Sequence, residues 1–242
     1  MNTLGTFYGI GVGPGEQGLL PVLAWDRLQH CHTIYVPRAT SQDASTARAC
    51  LPQNTIPEER FCEVEFDMSR DHAVLLARYT AMAHSITEHL RAGHDVAYLT
   101  LGDTMTYSTF NYTLQAVRRA CPDAPWRVFP GISSYAALAA ATGFPLGEGK
   151  ERVQILPCPE TADELEFFIR RNDIVVLMKV GKRLPMVLEL LQKLELTDSS
   201  AFGSRIGMPE GFCLQGLAPL LAESHTGYLS TMLIRNPTPH LS

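Results

Sequence analysis

The chain has 242 residues, of which 45% are hydrophobic and 19% are charged. This is the composition of a globular protein with a substantial core, and it excludes a wholly disordered chain. Twenty Lys and Arg against 25 Asp and Glu give a formal net charge of −5. That balance argues against nucleic acid or an anionic membrane as a partner, because neutralising phosphates requires a basic face.

In the first half of the chain, apolar runs alternate with helical patterns. Strands are predicted at residues 6–12, 33–36 and 95–101, and helices at 19–30, 71–91 and 108–121. The segment 41–66 contains Pro52 and Pro57 and is predicted to be irregular.

Pro122 and Pro125 mark the predicted domain boundary, because proline stops both helices and strands. The boundary divides the chain into residues 1–122 and 123–242. Beyond it, strands are predicted at 126–129, 153–156, 173–179, 200–206 and 228–235, and helices at 133–142, 162–171 and 184–194. The alternation predicts two α/β lobes, the first with a mostly parallel sheet.

Neither the N-terminus nor the cysteines indicate export. The opening residues MNTLGTFYGIGVGPGE lack a basic region and turn into a glycine-rich loop, unlike a signal peptide. The longest uncharged stretch, 128–147, is too broken by proline and glycine to cross a membrane. Six cysteines without a C-x-x-C pair favour reduced, mostly buried thiols, a cytoplasmic protein and no metal site.

The segment GIGVGPG (residues 9–15) follows a predicted strand and precedes a helix. It is not the G-x-G-x-x-G dinucleotide fingerprint, and it lacks the Lys-Ser/Thr of a P-loop. A simple tight turn and a ligand-binding loop remain equally open here.

Two further turns share this strand–turn–helix layout. LGDTMTYST follows the strand at 95–101, where ligands bind in open α/β sheets. There Gly102 exposes backbone amides, and Asp103 can accept hydrogen bonds either from a ligand or from its own loop. In FPGISS, Ser133 is either an N-cap or a ligand contact. Met178 ends another apolar run and is more typical of core than of a binding site.

No catalytic residue can be assigned from the sequence. It contains no G-x-S-x-G elbow, no H-E-x-x-H and no carboxylate pair with an evident acid/base role. This absence fits a reaction whose substrates carry their own reactivity.

Six segments in order resemble the tetrapyrrole (corrin/porphyrin) methyltransferase family. They are YGIGVGPGE, LTLGDTMTYSTF, FPGISSYAALAAATGFPL, VVLMKVG, IGMPEG and YLSTMLI, and together they span essentially the whole chain. The Tyr107-Ser108-Thr109 continuation and the stretch IPEERFCEVEFDMSRD are most similar to family members that methylate C-20 of precorrin-2 or cobalt-factor II in cobalamin biosynthesis.

The resemblance implies the two-lobed fold of this family, each lobe a sheet flanked by helices. It also implies S-adenosylmethionine (SAM) bound in a cleft between the lobes, a tetrapyrrole substrate and a homodimer. No protein-bound metal is expected. The family's SAM-binding positions fall on Pro14, Leu101, Gly102, Asp103, Thr106, Ser133, Ser134, Met178, Gly207 and Ser230.

Two further expectations follow from the resemblance. Thr104 stands where the family commonly has proline, which predicts a looser loop. The substrate is rich in carboxylates, so a local basic rim is predicted, with Arg38, Lys179 and Arg205 as the principal candidates and Lys150, Arg152 and Lys182 as further ones. The alternatives are methylation at another corrin carbon, methylation of rRNA or protein, and SAM binding without turnover.

Overall fold

A computed structural model describes residues 3–39, 45–53, 55–66, 72–222, 227 and 229–237. The chain forms two compact units, Met1–Ser133 and Ser134–Ser242.

The first unit contains a parallel sheet. Its strands are β1 (Phe7–Gly11), β2 (Thr33–Ala39), β3 (Phe61–Phe66), β4 (Val96–Thr100) and β5 (Trp126–Phe129). Its helices are α1 (Val22–His30), α2 (Thr46–Ala49), α3 (His72–Arg91) and α4 (Phe110–Ala120). The strand order is β3-β2-β4-β1-β5, and every pairing is parallel, so the carboxyl ends of all five strands meet at one edge.

Helices cover both faces of this sheet. Every residue of β1 and β4 is buried, as expected for strands covered on both sides. Ile10 packs in a core with Leu28 of α1, while Phe7 packs on the other face with Phe110 of α4. Gly9 lets α4 approach closely, because a Cβ there would lie 2.2 Å from Cζ of Phe110.

The second unit contains a mixed sheet. Its strands are β6 (Val153–Pro157), β7 (Ile174–Met178), β8 (Ser200–Ser204), β9 (Phe212–Gln215) and β10 (Ser230–Arg235). Its helices are α5 (Ser134–Thr142), α6 (Ala162–Arg171), α7 (Leu184–Lys193) and α8 (Ala218–Ala222). The order is β6-β7-β10-β8-β9, and all pairs but β6–β7 are antiparallel. The carboxyl ends of β7 and β8 therefore share an edge with the amino end of β10.

The predicted boundary after residue 122 lies too early. It assigns residues 126–129 to the second half, whereas β5 pairs with β1 in the first sheet. The two prolines do break the chain, but the strand immediately after them is the last one of the first unit.

Two further predictions from the sequence are corrected. Residues 41–66 are not irregular throughout, because α2 and β3 lie within them and β3 pairs with β2 along six positions. In the second unit, β9 and α8 had no counterpart among the predicted elements.

Among the described helices, none has both the length and the apolar character that crossing a bilayer requires. All six cysteines are free thiols; Cys62 and Cys213 are half-buried and the other four are buried.

Candidate functional site

Three loops lie side by side at the carboxyl edge of the first sheet. They follow the adjacent strands β4, β1 and β5. Gly13 and Gly102 join two of them by a pair of backbone hydrogen bonds: the N–H of Gly102 donates to the oxygen of Gly13 at 2.7 Å, and the N–H of Gly13 donates to the oxygen of Gly102 at 3.3 Å. The glycine-rich segment is therefore held against the Gly-Asp loop rather than being an isolated turn.

The loop after β5 packs closely onto the other two through backbone atoms. A Cβ added to Gly131 would lie 2.1 Å from the oxygen of Gly102 and 2.8 Å from Cα of Gly11. A Cβ on Gly11 would lie 2.5 Å from the nitrogen of Gly131. Glycine is thus required at both positions, and it brings main-chain groups together at the edge where open α/β sheets bind ligands.

Asp103 ties two of these loops together. Its Oδ1 accepts hydrogen bonds from the N–H of Met105 at 3.0 Å, from the N–H of Thr106 at 2.9 Å and from Oγ1 of Thr106 at 2.8 Å. Its Oδ2 accepts from the N–H of Gly131 at 3.2 Å. Partial burial raises the pKa of the Asp103 carboxyl, but these hydrogen bonds outweigh it and leave the pKa below its usual range. The Asp103 carboxylate therefore organises its own loop and joins it to the loop after β5.

Thr104 does not loosen the Gly-Asp loop as predicted. Its side chain is fully buried, and its hydroxyl donates a hydrogen bond to the backbone oxygen of Phe129 at 2.6 Å. This bond anchors the loop to β5, a restraint that proline could not supply.

Thr100, the last residue of β4, was not singled out from the sequence. It is buried, and within the described part of the chain its Oγ1 has no hydrogen-bond partner. Buried hydroxyls are rarely left unpaired, so this atom is suited to a bound ligand or water. The available signal was a threonine at the end of an apolar strand, immediately before the Gly-Asp turn.

The remaining predicted positions of the first unit also lie at this edge. Pro14 is buried beside Gly13, Leu101 is half-buried, and Ser133 is buried immediately before α5. The structure therefore brings Pro14, Leu101, Gly102, Asp103, Thr106 and Ser133 together around the three loops.

In the second unit, other predicted residues meet at the edge formed by β7, β8 and β10. Met178 is the register partner of Thr231, and Ser204 that of Ser230. Oγ of Ser134 lies 2.8 Å from Oγ1 of Thr231. Gly207 belongs to the turn that leaves β8. Thr231 is a second hydroxyl residue that sequence reasoning missed.

Several left-handed backbone conformations lie in or next to the segments singled out from the sequence. Tyr107, Lys179, Arg205 and Leu229 have φ values of 51°, 55°, 48° and 48°. Such conformations cost free energy in non-glycine residues and are found preferentially at functional sites. The backbone is thus strained where binding was predicted.

The six basic residues proposed as a rim do not form one cluster. Lys179 and Arg205 are exposed at the ends of β7 and β8, and Lys182 lies in the turn after β7. Lys150 and Arg152 precede β6, and because β6 and β7 are parallel they lie at the opposite edge of that sheet. Lys150 and Arg152 therefore do not lie beside Lys179, Lys182 and Arg205, which corrects the sequence prediction.

Arg38 lies near the carboxyl end of β2 but is engaged by carboxylates. Nε of Arg38 lies 3.1 Å from Oε2 of Glu63, and the Arg38 guanidinium also pairs with Glu65. Both glutamates belong to β3. These two acidic neighbours offset its charge, which weakens the case for Arg38 as a substrate contact.

Comparisons with known proteins agree with this architecture. The model of the tetrapyrrole (corrin/porphyrin) methylases matches residues 6–218. The cobalt-precorrin-2 C(20)-methyltransferase of Salmonella typhimurium is 30% identical over 95% of this chain and 96% of that protein. The precorrin-2 C(20)-methyltransferase of a Sinorhizobium species is 25% identical over 96% and 95%.

Solved structures show the same fold. A cobalt precorrin-4 methyltransferase superposes with a TM-score of 0.69 at 16% identity, covering 95% of this chain and 94% of that one. The uroporphyrin-III C-methyl transferase of Thermus thermophilus, complexed with S-adenyl homocysteine, gives 0.62 at 18% identity, covering 96% and 98%. With the family model matching most of its length, the chain belongs to the tetrapyrrole (corrin/porphyrin) methylases.

Proposed function

We propose that the protein is a SAM-dependent methyltransferase that methylates C-20 of precorrin-2 or of its cobalt complex. The proposal is supported by the 30% identity to a C(20)-methyltransferase over nearly the full length of both chains. The structural observation that carries it is the backbone-to-backbone packing of Gly11, Gly102 and Gly131, which builds a ligand edge out of main-chain groups.

The residues at this edge fit SAM. Residues 11–15 and 101–106 contain no Lys or Arg, so no fixed positive charge from these loops repels the sulfonium. The lowered pKa of Asp103 keeps a negative charge beside them. Thr100 Oγ1 is a buried hydroxyl that lacks a partner among the described residues. We propose Pro14, Leu101, Gly102, Asp103, Thr106 and Ser133 as the residues that hold SAM in this unit, with Thr100 added to them.

The reaction requires the protein chiefly to align SAM with the tetrapyrrole. SAM supplies an electrophilic methyl group, and a reduced tetrapyrrole supplies an enamine-like carbon as nucleophile. The methyl–sulfur bond breaks as the new carbon–carbon bond forms, and C-20 then loses its proton. Fixing reactants in line is worth effective molarities of about 10⁵–10⁸ M. The rigid hydrogen bonds of Asp103 and Thr104 hold the loops in a single arrangement for this purpose.

Asp103 is unsuited to removing the C-20 proton. Its carboxylate already accepts four hydrogen bonds, and its pKa is below the usual range, which makes it a weak base. The base is therefore water, the substrate itself or a residue elsewhere.

In the second unit, Ser134, Met178, Gly207 and Ser230 remain predictions for SAM binding, and Lys179 and Arg205 for binding substrate carboxylates. A homodimer also remains a prediction.

The decisive experiment incubates the purified protein with methyl-labelled SAM and either precorrin-2 or its cobalt complex. We expect one methyl group to be added and NMR to locate the label at C-20. Label at another carbon would favour the alternative corrin specificity. If the protein binds SAM but forms no methylated product, the proposed methyltransferase activity is wrong and the protein only binds SAM.

A further inference from the structure

His32 meets the two neighbouring histidines His89 and His94 at the edge of the first sheet opposite the glycine loops. His32 immediately precedes β2, His89 lies in the last turn of α3, and His94 lies just before β4. This edge is formed by the amino ends of the parallel strands, so the cluster is separate from the proposed SAM site.

The end of α3 places two of the three side chains together. Gly93 adopts φ 82°, its N–H donates to the oxygen of Leu90 at 3.0 Å, and the N–H of His94 donates to the oxygen of His89 at 3.0 Å. This is a Schellman motif, in which the residues at the positions of His89 and His94 commonly touch through apolar side chains. Here both side chains are imidazoles.

The third histidine is held beside them by the backbone. The N–H of His32 donates to the oxygen of Asp95 at 2.8 Å. The His32 and His94 rings are stacked, with centroids 3.9 Å apart and an interplanar angle of 5°, and the His89 centroid lies 5.4 Å from that of His32. One ring nitrogen from each histidine lies within 4.8 Å of the other two.

We propose that His32, His89 and His94 bind one divalent first-row transition-metal ion, with Zn²⁺ as the reference ion. Imidazole nitrogen is a preferred ligand for such ions, and three histidines with an open fourth position form a known type of zinc site. Zn–N distances of about 2.0–2.1 Å require tetrahedral nitrogens to be about 3.3 Å apart. Because the nitrogen lone pairs lie in the ring planes, the His32 and His94 rings must leave their parallel stack and tilt toward each other to share an ion.

The hydroxyl of Thr33 prepares the His32 ring for an ion. Nδ1 of His32 lies 2.9 Å from Oγ1 of Thr33, which engages that nitrogen and leaves Nε2 for the metal. Because the ligands come from the start of β2, the end of α3 and the start of β4, a bound ion would cross-link three elements of the first unit.

The test titrates Zn²⁺ into the full-length protein, without a histidine tag, by isothermal titration calorimetry. We expect one equivalent to bind and the thermal midpoint of unfolding to rise. His94→Ala and His89→Ala should each weaken binding by at least about 100-fold, the upper end of the effect of losing an outer-shell partner. The matched control is His84→Ala, which removes an exposed α3 histidine outside the cluster and should bind as wild type does.

Three results would overturn the proposal: no saturable binding, equal binding by wild type and the double variant H89A/H94A, or loss of binding in Cys62→Ser, which would assign the ion to a thiol. Co²⁺ provides a second readout, since its visible spectrum distinguishes imidazole from thiolate ligands. Calorimetry requires no methyl transfer, so failure of this proposal and failure of the proposed function are separable.

Discussion

The N–H of Gly131 donates a hydrogen bond to Oδ2 of Asp103 at 3.2 Å, which joins the loop after β5 to the loop after β4. The other carboxylate oxygen organises the Gly-Asp loop internally through Met105 and Thr106. One ionised side chain thus sets the relative position of two loops.

Replacing Asp103 should reduce both stability and SAM affinity. Asp103→Ala leaves the N–H groups of Met105, Thr106 and Gly131 without their acceptor, and we expect it to lower the free energy of unfolding by about 2 kcal/mol. Urea unfolding measures the stability, and calorimetry with SAM measures the affinity. Unchanged SAM affinity in a folded variant would contradict the role assigned to this loop.

Asp103 should also make stability depend on pH. Its folded pKa is lower than the unfolded value of about 3.9, so its stabilisation is fully present above that value and is lost as the pH falls through the folded pKa. The difference in unfolding free energy between wild type and Asp103→Asn should be constant near neutrality and shrink below about pH 4. A difference that grows on acidification would contradict a lowered pKa of Asp103 in the folded protein.

A methyl group at Gly131 should force the loops apart. Its Cβ would overlap the oxygen of Gly102, and we expect Gly131→Ala to cost about 3 kcal/mol and to abolish SAM binding. Gly18→Ala is the control: Gly18 has φ 89° but nothing within 4 Å of a Cβ, so that variant should cost only about 1 kcal/mol and still bind SAM. Equal losses in the two variants would attribute the effect to backbone strain instead of loop contact.

The hydrogen bond of the buried Thr104 hydroxyl should contribute more to stability than the packing of the Thr104 methyl group. Thr104→Val keeps the volume but removes the hydrogen bond to Phe129, and should cost about 1–2 kcal/mol, whereas Thr104→Ser keeps the donor and should cost less. Thermal unfolding of the two variants checks this order, which would be reversed if packing of the methyl group dominated.

Replacing Lys179 or Arg205 should weaken binding of the tetrapyrrole and leave the affinity for SAM unchanged. Both side chains are exposed, and Arg205 also pairs with Glu210. Replacing either by Ala is expected to raise the KM for tetrapyrrole about fivefold, equivalent to about 1 kcal/mol. Lys150→Ala, at the opposite edge of the second sheet, should leave KM unchanged. A parallel fall in SAM affinity would show that the two residues do not act on substrate carboxylates.

The buried thiols should resist alkylation. Burial, the largest effect, raises the pKa of Cys31 to about 12 and that of Cys50 to about 11, so little reactive thiolate forms at neutral pH. Mass spectrometry after iodoacetamide treatment should show half-buried Cys62 modified before either of them, and all three modified in urea. Early labelling of Cys31 would indicate that the first unit opens locally.

Elements with strong periodicity could be predicted from the sequence. The apolar runs of β1 and β4 and the amphipathic α6 gave correct positions within a few residues. The strand β3 was missed because Pro52 and Pro57 led to an irregular prediction for the whole segment 41–66, although residues 62–66 alternate between apolar and acidic as a half-buried strand does. Glu63 and Glu65 are exposed and pair with Arg38 on the neighbouring strand.

The site could be predicted as a set of segments but not as a geometry. Gly131 and Asp103 carried turn and capping signals, yet nothing local shows that Thr104 would reach Phe129, 25 positions away. The histidine cluster could not be predicted from local sequence either, because residues 32 and 94 come together only through the parallel pairing of β2 with β4.

Among the five strands of the first sheet, the interior strand β1 comes earliest in the sequence, yet Phe7 pairs with Val96 on one side and with Trp126 on the other. A nascent chain must therefore carry an entirely apolar strand with both edges bare until nearly the whole first unit has left the ribosome. Translation pauses or chaperone capture in that interval would govern the yield of native protein. A fragment ending before β5 should self-associate through the vacant side of β1.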